Sequence, residues 1–333
     1  MNNSPASSLV PDPCFDRYVD HLKTMILIRE VETSLADGRR LGQIKGPVHL
    51  GIGQEAIAVG VSSSLKSSDM VFGAHRSHSH ILSLGTDLFQ FFSEILGRYT
   101  GLCRGKGGSM HLSDPSVGFM GSVPIVAGTV AIAVGAAMAA RLSSSSRIAV
   151  VYLGDGACEE GIVHESFNLS SIYKEPVLFV VENNYFASHM HISQRQSSDS
   201  TSRFAVANNI PFEVVDGNNV IHVANAAHRL TTHMRSSGGP AFIEAFTYRW
   251  LGHVDWRADL DVGVNRSKVD VDAWKLKDPI LQLHNLMKDL FSWTNADYAN
   301  LNNSLKSTVL SSWEQALEAP YPPDSSLFDN LYF

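Results

Sequence analysis

The sequence predicts an α/β protein: a doubly wound, mostly parallel sheet with helices on both faces and helical N- and C-terminal extensions. Three observations carry that expectation. Apolar runs rich in β-branched residues, "RIAVVYL" (147–153) and "VLFVVE" (177–182), have the character of strands buried on both faces. Segments with apolar residues at helical spacing alternate with such runs, as βαβ units require. The runs end in glycine or polar residues, "GDG" after the first and "NN" after the second, so chemistry is placed at strand tips.

Taken in order, residues 16–45 open the chain as a helix, with Tyr18, Leu22, Met25, Ile26, Ile28, Val31 and Leu35 at helical spacing. Residues 1–15 are polar and proline-bearing. They are expected to be a flexible N-terminus lacking the basic start and apolar run of a secretory signal, ahead of a single domain at 16–333. "HLGIGQEAIAVGVSSSL" (49–65) predicts a turn and then a small-residue helix, and "DMVFGAHRSHSHILSLG" (69–85) a short strand ending in a His-rich loop. Residues Leu102–Val117 form a Gly/Ser/Lys loop too long for a plain connector, a length that marks functional or disordered segments.

The stretch "VPIVAGTVAIAVGAAMAA" (123–140) is uncharged and close to membrane-spanning length. Its Ala, Gly and Val content favours close backbone approach over partition into lipid, so a tightly packed buried helix is expected. Residues 159–173 place Ile162, Val163, Phe167, Leu169, Ile172 and Tyr173 along one helix face. "FEVVDGNN" (212–219) and "AFIEAFTYRW" (241–250) are strands ending in polar residues, with a helix at 220–235 between them. After "DPI" (278–280) the tail is helical and polar.

The 333 residues are 44% hydrophobic, ordinary for a globular protein. A formal net charge of −7 leaves no basic footprint, which argues against nucleic acid as a partner. Cys14, Cys103 and Cys158 are odd in number and far apart, so neither a disulfide nor a zinc framework is expected. That usage fits a reducing, cytoplasmic compartment.

The crossover between parallel strands is almost always right-handed and returns the chain to the same sheet edge. Asp155 and Asn184 therefore meet at the carboxyl ends of two strands, the edge where open α/β sheets bind ligands. A carboxylate, an amide oxygen and a nearby backbone carbonyl make an all-oxygen site suited to Mg²⁺, which completes its octahedron with phosphates and water. The N–H groups of Gly156 and Ala157, opening the next helix, are free to take the remaining phosphate oxygens. His75, His78 and His80 form a second cluster. In a β conformation 78 and 80 share a face, but no cysteine or carboxylate completes a metal set, so hydrogen bonding to substrate and cofactor anions is favoured. His253 follows a strand end with Arg249 and Arg257 beside it, whereas His111, His189 and His191 carry no assignment. A nicotinamide dehydrogenase is disfavoured because no G-x-G-x-x-G turn follows an early strand.

The "GDGACEEG…ENN" stretch resembles the thiamine diphosphate motif, in which GDG and a following Asn hold the metal that anchors the diphosphate. "HLGIGQEA" (49–56), "AHRSHSHILSLG" (74–85), "RGKGGSMHL" (104–112), "ESFNLSSIYKEPVLFVVENN" (165–184) and "YRWLGHVDWRADLDVG" (248–263) narrow the resemblance to one group. That group is the alpha subunits of the two-chain E1 components of 2-oxo acid and acetoin dehydrogenase complexes, and the likeness runs over roughly residues 16–325. It implies the thiamine diphosphate-binding fold, with thiamine diphosphate and Mg²⁺ as cofactors. Asp155 and Asn184 would be the side-chain metal ligands, the Phe186 carbonyl a third, and Gly154, Gly156 and Ala157 the lining of the diphosphate. His75 and Arg76 would reach the cofactor and the entrance, and the Val126 backbone the aminopyrimidine. His253 would lie over the diphosphate and the substrate channel, and His49 at the substrate end. His253 and His75 are the implied catalytic histidines.

The resemblance further implies that the cofactor's thiazolium carbon attacks a pyruvate-like 2-oxo acid or acetoin, and that the acyl unit passes to a lipoyl-bearing E2 protein. A beta subunit supplies a glutamate and half of the pocket in an α2β2 heterotetramer, so this chain alone would be inactive. Two rival functions stay open: a non-oxidative carboligase of the same two-chain build, and a non-catalytic alpha-like subunit. Intact Asp155, Asn184 and His253 speak against the latter. Departures from the family pattern are Ser122–Ala127 in place of a Gly-rich segment, Val254 in place of a regulatory serine, and "YFASHMHIS" (185–193) after the Asn pair. The "HRSHSH" form and the chain length lean towards acetoin- or pyruvate-type enzymes over branched-chain ones.

Overall fold

The structure, a computed structural model, describes residues 14–259 and 266–329. Its elements in chain order begin with α1 (Phe15–Arg40), α2 (Glu55–Ser62), β1 (Met70–Gly73), α3 (His78–Leu82), α4 (Leu88–Ile95), β2 (Phe119–Ser122), α5 (Gly128–Leu142) and β3 (Ala149–Gly154). Then come α6 (Gly161–Tyr173), β4 (Val177–Asn183), β5 (Phe186–Ala187), β6 (Met190–His191), α7 (Ser202–Ala207), β7 (Phe212–Asp216), α8 (Val220–Ser237) and β8 (Ala241–Phe246). The tail is α9 (Lys268–Lys275), α10 (Pro279–Leu290) and α11 (Asn295–Glu318).

Six strands form one sheet in the order β2-β1-β3-β4-β8-β7, and every neighbouring pair is parallel. Strand alternation divides its side chains between two cores. Val150, Tyr152, Leu178 and Val180 face the helices α1, α2, α8, α10 and α11. Ala149, Val151, Leu153, Val177, Phe179 and Val181 face α5, α6 and α7. Burial of each large apolar side chain contributes roughly 1.5–3 kcal/mol, which is why the central strands need no polar alternation. The α2–α8 contact is close enough that a Cβ on Gly60 would lie 2.7 Å from Val223. Helix starts are marked by side-chain caps: Asn219 on α8, Asp278 with Pro279 on α10, and a Thr294–Asp297 capping box on α11.

Several expectations need correction. Helix α1 stops at Arg40 rather than near residue 45, because Gly42 takes φ 74° just beyond it. Helix α5 starts at Gly128 rather than Val123, because Ala127 adopts φ 59°. It is buried on one face only: Val130, Ala133, Val134, Ala137 and Ala140 are covered, while Ile132 is 56% exposed. In α6 the 3.6-residue period turns Val163 and Phe167 to the sheet and leaves Ile162, Leu169, Ile172 and Tyr173 on the open side, so they do not share one buried face. Residues 78–82 are helical, not extended. The expected flexible segment at 1–15 lies outside the described residues except for Cys14 and Phe15, and Phe15 already begins α1. Among the described residues no helix is long and apolar enough to cross a membrane.

The Gly-rich loop at 102–117 is ordered by a buried carboxylate. Glu94, on α4, accepts the backbone N–H groups of Cys103 (2.6 Å), Gly105 (2.9 Å), Gly107 (2.7 Å) and Gly108 (3.1 Å). Lys106 then ties the loop to the C-terminal segment through the carbonyls of Ser326 and Asp329. The loop's donors are spent inside the protein, so a nest that would otherwise attract an anion is closed.

Candidate active site

From β1 the chain moves outward to β2 and then back past β1 to β3, so the strand order reverses between β1 and β3. Ligands of doubly wound sheets sit at the carboxyl edge of such a reversal. A cavity of about 450 Å³ opens there. It is lined by His49, His75, Arg76, Val126, Gly154, Asp155, Gly156, Ala157, Asn184, Phe186 and His253. The cavity thus brings the residues proposed for metal, diphosphate and substrate around one space, without His78 and His80. The pairing Gly154↔Glu182 across β3 and β4 sets Asp155 and Asn184 just beyond the two strand tips.

Asp155 is fully buried. Its Oδ2 accepts from Arg195 Nη2, and its Oδ1 is buried with no hydrogen-bond partner among the described residues. Burial pushes the carboxyl group above its ordinary range, while the charge and hydrogen bond of Arg195 pull it back. A buried acceptor left unpaired costs about 1–3 kcal/mol, so Oδ1 marks an unmet need at the cavity wall. A hard cation with oxygen ligands meets that need. Gly156 follows, and a Cβ there would lie 2.5 Å from the Ala187 Cβ, so only glycine lets the β5–β6 hairpin close over the turn.

The two asparagines divide as strand alternation dictates. Asn184 lines the cavity; its Nδ2 donates to Gln54 Oε1 at 3.3 Å and its Oδ1 accepts the Phe186 N–H at 3.2 Å. Asn183 points away, donating to Glu244 and to the Asp199 carbonyl, both at 2.8 Å. Tyr185, at φ 68°, makes the tight bend between Asn184 and Phe186.

At the other end of the cavity stand three imidazoles. Ring centroids are 4.8 Å apart for His49–His75, 5.1 Å for His49–His253 and 5.5 Å for His75–His253. Burial, with Arg76 next, pushes His49 down to about 4, His75 to about 2 and His253 to about 3. All three rings are therefore neutral at pH 7. Arg76 donates to the Leu50 carbonyl (2.6 Å) and the His253 carbonyl (3.1 Å), with the same guanidinium 3.4 Å from His253 Nδ1. Arg249, held by the Ser188 and Leu251 carbonyls, is the second buried cation nearby. The ligand atoms of the three rings lie within 4.8 Å of one another, as a metal group's would, while the two buried guanidiniums beside them favour an anion at this end.

His78 and His80, expected to bond substrate and cofactor anions, do not line the cavity. His78 is fully buried between Glu32 (3.1 Å) and Ser109 (2.7 Å). His80 stacks on Tyr152 at 3.7 Å and meets Glu182 at 3.2 Å. Two residues along a helix turn the side chain by about 200°, so the two rings point to opposite sides, which the assumed extended conformation would not do. His189, unassigned by sequence, lies 3.4 Å from the Asp259 carboxylate that also accepts the His253 N–H at 2.8 Å. Arg195 and Gln196 carry no motif in the polar stretch 193–202, yet the fold returns both to Asp155. Glu182, the acidic start of "ENN", lines the cavity as well.

The sequence model described as "Dehydrogenase E1 component" matches residues 23–325. The chain is 35% identical over 314 residues to the alpha subunit of acetoin:2,6-dichlorophenolindophenol oxidoreductase from Bacillus subtilis (strain 168), covering 92% of this chain and 91% of that protein. It is 34% identical over 310 residues to the pyruvate dehydrogenase E1 component subunit alpha of Rhizobium meliloti (strain 1021), covering 93% and 88% respectively. The corresponding subunit of Zymomonas mobilis is 33% identical over 320 residues, with 95% and 88% covered. The chain belongs to the dehydrogenase E1 component family of oxidoreductases, among its alpha subunits.

Proposed function

We propose that this chain binds the Mg²⁺-diphosphate end of thiamine diphosphate and, joined to a beta subunit, cleaves a 2-oxo acid or acetoin and hands the acyl unit to a lipoyl-bearing E2. The observation that carries this reading is the unpaired, buried Oδ1 of Asp155 on the same cavity wall as Asn184. In this reading Asp155, Asn184 and the Phe186 carbonyl hold the cation, and Gly154, Gly156 and Ala157 border the diphosphate. Thiamine diphosphate supplies, when bound, the nucleophilic carbon and the electron sink.

The chain's own groups have separate tasks. Arg76 brings a fixed positive charge to the anionic parts of cofactor and substrate. His75 and His253, kept neutral by burial and Arg76, are able to donate and accept hydrogen bonds near the reacting atoms. His49 packs edge-on against both rings and fixes their orientation at the substrate end. The exposed apolar side of α5 and α6, with Ile132, Ile162, Leu169 and Ile172, supports a protein partner there. Val126, exposed and lining the cavity, and its exposed neighbour Ile125 add apolar surface at the mouth. A beta subunit seated on this face closes the cavity from water.

Co-expression with a beta-type chain of the same family, followed by assay of pyruvate, acetoin and branched 2-oxo acids with an artificial electron acceptor, tests the reading. The pair is expected to turn over one of them only with thiamine diphosphate and Mg²⁺, and the lone chain none. Full activity of the lone chain refutes the two-chain assignment. Cofactor binding without oxidation of any of these compounds points instead to the carboligase.

A further inference from the structure

Arg195 is fixed far more firmly than a passing counter-ion needs to be. Its side chain is 7% exposed. Nη2 donates to Asp155 Oδ2, Nη1 to Glu159, and Nε to the Met190 carbonyl at 3.0 Å. Gln196 doubles the clamp, donating to the Asp155 carbonyl at 3.0 Å and to Glu159 at 2.8 Å, and accepting from Arg203 at 2.8 Å. Farther along, buried Glu244 anchors the segment by accepting the Thr201 N–H (2.7 Å), the Thr201 hydroxyl (2.8 Å) and the Ser202 N–H (3.0 Å).

We propose that Arg195 is a positioning residue for the metal carboxylate: by holding Oδ2 it presents Oδ1 alone to the cation. The proposal rests on the reading above, in which Asp155 binds a divalent ion. Outer partners of this kind fix a ligand's orientation and commonly govern affinity. Glu159 is essential to the arrangement. It balances the guanidinium charge, so the Asp155 carboxylate keeps its net attraction for a cation despite the arginine beside it. Lysine cannot replace the fork, since its single ammonium does not span Asp155, Glu159 and a backbone carbonyl in fixed directions.

The test is Mn²⁺ binding to the complete complex with its beta subunit in the presence of thiamine diphosphate, read by electron paramagnetic resonance. Arg195→Gln is expected to weaken Mn²⁺ binding ~10–100-fold and to alter the hyperfine pattern as the carboxylate is freed. Arg195→Lys restores the charge but only part of the affinity. Glu159→Gln, which leaves the guanidinium unbalanced, weakens Mn²⁺ as well. Circular dichroism checks that each variant is folded; should Arg195→Gln fail to fold, Arg195→Lys carries the test. Affinity that is unchanged or higher in the folded arginine variants overturns the role of Arg195 while leaving the metal site standing. A wild-type complex that binds no Mn²⁺ overturns both.

Discussion

Two glycine-bearing loops of this protein have opposite fates. The loop at 102–111 encloses its own anion, Glu94, whose two oxygens accept four backbone N–H groups. The turn at 154–157 instead keeps one buried oxygen of its carboxylate Asp155 without a partner among the described residues. Both would pass for phosphate loops on composition. What separates them is whether hydrogen-bonding capacity is used up internally or left over at a cavity wall. Left-over capacity at a buried, strand-tip position is the physical mark of a binding site; used-up capacity is the mark of architecture.

The contrast is broken or sharpened by substitution on each side. The largest effect is expected from Asp155→Ala, which removes the charged ligand while sparing the sheet: magnesium-dependent binding of thiamine diphosphate to the complex, followed by calorimetry, should vanish with the fold retained. Unchanged binding contradicts the role of Asp155. Glu94→Ala should do the reverse. It strips four donors of a charged acceptor and is expected to lower stability by about 3 kcal/mol in urea denaturation, with cofactor binding kept in the folded fraction. A stability loss below 1 kcal/mol, on the order expected of a surface change, contradicts the architectural reading of that loop.

The pH dependence comes next in size. His49, His75 and His253 are held in the folded state near 4, 2 and 3, against an ordinary value of 6.5. In the unfolded chain they take up protons below about 6.5, and in the folded chain they do not until the lower values are reached. The unfolded state thus binds more protons in that window. Stability falls as pH drops from about 6.5 towards 4 and is fully present above it. The urea midpoint followed from pH 7.5 to 4.5 should show this slope, reduced in His75→Ala. A slope that is identical in the variant contradicts the neutral triad.

The smallest effect concerns the thiols, one near each loop. Burial pushes the Cys158 thiol, beside the GDG turn, well above its ordinary range, and raises half-buried Cys103 in the Glu94 loop. Native-state thiol titration should modify exposed Cys14 first and Cys158 last. Early reaction of Cys158 would mean that the turn opens readily.

Much of this was legible in the sequence because the central strands obey a short-range rule. "RIAVVYL" and "VLFVVE" are buried on both faces, so their apolar continuity encodes both strand and layer. Parallel pairing then fixed the meeting of Asp155 with Asn184, since a right-handed crossover leaves no other edge. What escaped was set by tertiary placement. The helical turn at 78–82 sent His78 to Glu32 and His80 to Glu182, partners 46 and 102 residues distant. Arg195 reaches Asp155 across 40 residues through a small hairpin that no periodicity announces. The exposed side of α6 looked like a core face because Ile162, Leu169, Ile172 and Tyr173 are apolar even though they lie on the open side.

The most direct measurement is anomalous diffraction from crystals of the complex with its beta subunit, soaked with Mn²⁺ and thiamine diphosphate. A Mn²⁺ peak between Asp155 Oδ1 and Asn184, touching the diphosphate, is the predicted result. An ordered cofactor elsewhere, or none with Asp155 Oδ1 still unpaired, contradicts the claim that this orphaned oxygen is the seat of the metal.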